Sequence, residues 1–99
     1  AWLIDAVLTG VELANVCLYR ADLTGADLTR ANLFGAGLVR AKLDRAVLRS
    51  ARLDGADMVK ASLHDVDASG ASLRGTRIMG ASLYDVDLRG ADLTDAVLF

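Results

Sequence analysis

The sequence predicts an all-β chain wound into a square coil of about five 20-residue turns, and three observations predict it. Leucine or a substitute for it recurs at every fifth residue from Leu3 to Leu98 without a break in phase. Two residues before each stands a small residue, usually alanine, as in Ala21, Ala26, Ala31 and Ala36. A longer period of twenty lies over the first: Ser62-Leu63-His64-Asp65-Val66-Asp67 returns as Ser82-Leu83-Tyr84-Asp85-Val86-Asp87.

A period of five suits neither regular element. On an α-helix five residues turn roughly 500°, so successive leucines step about 140° around the axis and make no stripe. On a continuous strand, residues five apart point to opposite faces. The pair two apart, such as Ala21 and Leu23, does share one face of a short extended stretch. Each unit is therefore about three extended residues followed by a corner that resets the phase, with alanine and leucine both pointing inward. The corner chemistry agrees. The fifth position reads Asp5, Gly10, Asn15, Arg20, Gly25, Arg30 and Gly35 at the start, and all nine glycines except Gly37 fall in that column. Glycine tolerates the positive φ that tight turns require.

Four units make twenty residues, so one turn of the coil has four faces and the 99 residues make five layers. Arg20, Arg40 and Lys60 then stand above one another at one corner, and Tyr19, Val39, Val59, Met79 and Phe99 run up the fourth face. Repeats of this kind bury an inner face only by stacking on their neighbours. Five layers at strand spacing give a rod roughly 24 Å long.

The units Ala21-Asp22-Leu23-Thr24-Gly25, Ala26-Asp27-Leu28-Thr29-Arg30 and Ala91-Asp92-Leu93-Thr94-Asp95 follow an A-(D/N)-L-x-x pattern. In this the whole chain resembles the pentapeptide-repeat family. The resemblance implies that family's right-handed, four-sided parallel β-helix. It implies little about activity, because the family covers many roles. Some positions depart from the pattern. Thr76 replaces alanine, and Val11, Val16, Val66 and Val86 do so more mildly. Met58 and Ile78 replace leucine conservatively, whereas Ala68 leaves its place in the core about three carbons short. That gap is expected to remain a void unless Met58 or Ile78 leans across it.

Composition bounds the rest. Residues 1–99 are expected to form one repeat domain, and the bare pattern at both ends reads as a piece of a longer protein or a rod whose ends stack on a neighbour. A hydrophobic fraction of 54% with 5% aromatics fits a core of leucine and alanine ladders. No apolar run approaches the roughly 18 residues of a membrane span, and no secretory leader is visible. The single Cys17 has no internal partner, which points to a reducing, cytoplasmic compartment. The net charge of −2 is unevenly placed: residues 20–60 hold eight basic and five acidic residues, residues 61–99 three basic and six acidic. Neither excess is large enough to imply direct nucleic-acid binding.

The polar groups that could carry chemistry are few. His64 beside Asp65 could be a general base held by a carboxylate; the commoner reading is an exposed side chain on a flat wall. Asp65, Asp67, Asp85 and Asp87 could surround a calcium ion, or simply form a solvated edge eased by Arg89. Cys17 points outward with nothing nearby to activate it. We therefore expect no catalytic residues, no metal and no cofactor.

The fourth face is the informative one. Tyr19, Val39, Val59, Met79 and Phe99 should point outward, yet all are apolar or aromatic, and Arg20, Arg40 and Lys60 flank them. An apolar stripe rimmed by charge marks an interaction surface; the plainer alternative is that these residues only favour β structure. The leading functional expectation is a non-catalytic module that presents a rigid surface to a protein partner or a second copy, side-on or end-to-end. The alternative is a DNA mimic of the type that protects gyrase from quinolones, although here the central column is leucine and the middle coils are net basic.

Overall fold

A computed structural model describes residues 2–98. The chain rises as a right-handed, four-sided parallel β-helix. Each unit contributes a single bridge residue at its second position, and each bridge pairs in parallel with the residue twenty further on. Trp2 pairs with Asp22, Asp22 with Lys42, Lys42 with Ser62 and Ser62 with Ser82 on the first face. Cys17, Gly37, Asp57, Arg77 and Val97 pair in the same way on the fourth. The expected short extended stretches are thus present, joined by corners too frequent for longer strands.

The backbone hydrogen bonds explain the five-residue period. The N–H of the second residue of a unit donates to the coil below, as Asp27 N to Ala6 O at 2.9 Å. The N–H groups of the third and fifth donate to the coil above, as Leu28 N to Val47 O at 2.7 Å and Arg30 N to Arg49 O at 2.9 Å. The N–H of the next unit's first residue closes the corner, as Ala31 N to Leu28 O at 2.9 Å. That i→i+3 bond makes a β-turn of most corners; those ending at Val66 and Val86 keep the turn without it. At every fifth position from Asp5 to Asp95, φ is positive, between 56° and 73°. Positive φ at the third turn residue but not the second is the type II signature. Glycine adopts it without strain, while the arginines, aspartates and Lys60 held there work against the usual preference of side-chain-bearing residues.

One amide per unit is left over: the N–H of the fourth residue has no backbone partner. Aspartate or asparagine at the second position supplies one. Asp22 Oδ1 accepts from Thr24 N at 3.1 Å and from its hydroxyl at 2.6 Å. Asp27 serves Thr29, Asp67 serves Ser69 and Asp92 serves Thr94 in the same way, and Asn32 caps Phe34 N at 3.0 Å. This is the physical content of the A-(D/N)-L-x-x pattern: the second residue caps the turn that its own leucine opens.

Inside, the alanine and leucine ladders are closed to solvent in the second and third coils, where Leu23, Leu28, Leu33, Leu38, Leu43 and Leu53 show no exposure. Thr76, which stands in the alanine column, is also fully buried, and its hydroxyl donates to Leu73 O at 2.9 Å. The end layers are less covered, with Leu83 and Leu98 exposed by 43% and 54%. The molecule extends 29 × 26 × 23 Å, so five layers make a block about as wide as it is tall.

Candidate docking surface on the fourth face

Four of the five residues of the apolar stripe fall where the period places them; Phe99 lies outside the described residues. Bonds such as Arg20 N to Val39 O (3.0 Å), Arg40 N to Val59 O (3.0 Å) and Lys60 N to Met79 O (2.9 Å) hold this edge of the fourth face in register. Tyr19, Val39, Val59 and Met79 therefore stand one per coil, with Tyr19 53% exposed and the other three half-buried.

The basic residues gather more tightly than the sequence alone implied. Arg20, Arg40 and Lys60 line one groove together with Lys42, Ala41 and Ser62, enclosing about 420 Å³. Lys42 and Ser62 belong to the first face, so the groove straddles the corner between the two faces, and none of the apolar stripe lines it. The available signal for Lys42 was that its unit follows Arg40 directly and replaces the usual aspartate with a cation. The guanidinium of Arg20 lies 5.3 Å from the centre of the Tyr19 ring, within cation–π range, which ties the lower end of the groove to the stripe.

Arg49, Arg52, Arg74, Arg77 and Arg89 each form an ion pair, with Asp67, Asp54, Asp92, Asp57 and Asp87 respectively. Among the described residues the other six cations, Arg20, Arg30, Arg40, Lys42, Arg45 and Lys60, form none, and four of the six share this corner. Four cations converge on one concavity with no carboxylate in its lining.

The remaining candidates resolve differently. His64 is not an exposed wall residue, contrary to expectation. It is half-buried, and its Nε2 is shielded from solvent with no hydrogen-bond partner among the described residues. The reason is its place in the column: Tyr84 of the coil above packs edge-on, with ring centres 5.6 Å apart at 79°, and Asp44 of the coil below accepts the backbone N–H of His64. The acidic residues of the second face are already engaged. Asp67 accepts from Ser69 and Arg49, which together hold its carboxyl at about 2. Asp87 is gripped by the Arg89 guanidinium and backbone N–H, which lower its pKa. No group of three or more His, Cys, Asp or Glu among the described residues is arranged to hold a metal ion. Cys17 is a free, exposed thiol. Among the described residues no helix is long and apolar enough to cross a membrane.

Geometry and sequence converge on a class: a turn-capped, leucine-cored parallel solenoid whose distinguishing feature is its outer wall. A sequence profile described as pentapeptide repeats, in 8 copies, matches residues 1–30, 26–65 and 61–98. The chain belongs to the pentapeptide-repeat family. Among solved structures it is similar to a pentapeptide-repeat protein of the Arabidopsis thaliana thylakoid lumen, at 30% identity over 90% of this chain and 62% of that one, with a TM-score of 0.67. It is also similar to Rfr23 of the cyanobacterium Cyanothece 51142, at 29% identity over 85% and 65% of the two chains, with a TM-score of 0.53. QnrB1, a plasmid-mediated fluoroquinolone resistance protein, matches at 22% identity over 99% and 57%, with a TM-score of 0.44, too distant to bear on function. The chain spans 62–65% of the length of the first two relatives. No curated protein matches the sequence significantly.

Proposed function

We propose that this chain is a non-catalytic docking module, and that its fourth face with the adjoining corner seats a protein partner carrying acidic and apolar side chains. The observation that supports this reading most directly is the gathering of four cations, Arg20, Arg40, Lys42 and Lys60, in one groove whose lining holds no carboxylate. Holding like charges together is unfavourable unless water or an opposite charge offsets it. An acidic partner would supply that offset, and the Tyr19–Met79 stripe beside the groove would supply the apolar contact that a specific interface needs.

A duplex-DNA mimic needs a continuous negative wall. Here Arg49 and Arg89 lie across the acidic column of the second face, paired to Asp67 and Asp87, and the fourth corner is basic. Those observations favour the docking module. The test is a partner screen read by sedimentation, with wild type compared to Val59→Asp and to the double charge reversal Arg40→Glu/Lys60→Glu. A partner lost in both variants, each with an unchanged circular dichroism spectrum, supports the reading. A partner retained by both moves the interface elsewhere, and protection of gyrase by the wild type would establish the mimic instead.

A further inference from the structure

Directly above Leu8, Leu28 and Leu48 in the second-face column stands Ala68, with Leu88 above it. The missing isobutyl group is not made good. A cavity of about 100 Å³ remains, bounded by Leu48 and Met58 of the coil below, Leu63, Leu73 and Ile78 of the same coil, and Leu88 above. Met58 and Ile78 border the gap without closing it. The cavity continues to the last coil, where Leu83, Leu93 and Leu98 line it together with Leu88.

The exposure pattern gives an independent sign of this gap. The second coil lies one layer in from the first, and its four core leucines have no solvent exposure. The fourth coil lies one layer in from the last, yet Leu63, Leu73 and Ile78 each retain 4% and Ala68 retains 3%. The layer that holds Ala68 is thus less closely packed than its counterpart, the second coil.

Every lining side chain is apolar. A water molecule needs two to four polar partners to settle in a cavity, so this one should stay dry. Empty space of this kind forfeits dispersion contacts on every side, which an apolar guest restores. An engineered apolar cavity of about 150 Å³ takes up benzene or xenon; the space here is smaller and is lined by the same types of side chain. We propose that the gap at Ala68 is a binding site for a small non-polar molecule without hydrogen-bonding groups, no larger than about benzene.

Xenon is the probe. Carbon–proton methyl spectra of the folded 99-residue chain under increasing xenon pressure should show saturable shifts at Leu48 and Met58, deep in the cavity. In Ala68→Leu, whose side chain occupies the space, the saturable shifts should disappear. In Ala68→Val, which fills it in part and cannot overpack it, they should shrink. Wild-type methyls that respond only linearly would overturn the proposal. So would saturable shifts confined to Leu83 and Leu98, or unchanged in both variants, because xenon would then be held by the exposed last layer and not by the Ala68 gap.

Discussion

Asp44 Oδ1 accepts the backbone N–H of His64, one coil above, at 3.0 Å, and the Ser62 hydroxyl at 2.6 Å. Asp54 does the same for Arg74 N at 3.0 Å and the Ser72 hydroxyl. In most capped units the aspartate sits two residues before the amide it serves. At Ser62 and Ser72, where serine holds that place, an aspartate of the coil below takes over. The local cap becomes a tie between layers. Replacing Asp44 with alanine should cost about 1–2 kcal/mol, the usual worth of two partly buried hydrogen bonds to a charged acceptor with some solvent replacement. Asp44→Asn keeps an acceptor and should lose less. Urea denaturation of the two variants checks the order; equal losses would mean that the charge, and not the bond to His64, matters.

Acid should loosen the molecule within a narrow window. Hydrogen bonds from Thr24, Thr29, Thr94 and Arg89 hold Asp22, Asp27, Asp92 and Asp87 below their ordinary 3.8. For Asp44, partial burial pushes the other way but is outweighed by Ser62 and His64. Asp67 lies at about 2, through Ser69 first and Arg49 next. A carboxyl with a lower pKa folded than unfolded stabilises the fold above the unfolded value, and that stability drains as pH falls through the folded value. Urea midpoints should therefore stay level from neutral pH down to about 5 and fall between about 4 and 2. A loss already complete at pH 5 would contradict this assignment.

Ala68→Leu should stabilise the protein. Cavities cost roughly 24 cal/mol per Å³, so about 2 kcal/mol is the upper bound for the 100 Å³ space, of which a leucine at position 68 fills a part. The melting temperature should rise by several degrees. A clear fall would mean that the space cannot accept a leucine rotamer without strain.

Val59→Asp tests the stripe. Its side chain is half-buried and outside the leucine core, so the fold should survive while association through this face weakens by tenfold or more, from placing an unpaired charge in an apolar contact. Trp2, 82% exposed on the first coil, is the control for end-to-end stacking. If Trp2→Ser changes the light-scattering mass and Val59→Asp does not, the ends associate and the stripe is only β-favouring decoration.

Lys42→Glu tests the corner. It reverses one charge in the groove without touching the stripe. Binding of an acidic partner should weaken, and its dependence on salt should become shallower. Unchanged affinity at low salt would separate the groove from the docking surface.

The inward and outward direction of nearly every residue was legible in the sequence, because the period of five and the corner residues dictate it. So were the four faces, the stacking of Arg20, Arg40 and Lys60, and the void at Ala68, since each follows from register alone. Side-chain reach was not legible. His64 was read as exposed, yet the stacked Asp44 and Tyr84 cover it. Lys42 joined the corner groove because a corner brings two faces together, which a face-by-face reading keeps apart. Whether Met58 and Ile78 would close the Ala68 gap also depended on packing against the coils above and below. Repetition along the chain determines where each backbone segment goes; which side chains meet is decided between layers, by distances of a few ångströms that no period encodes.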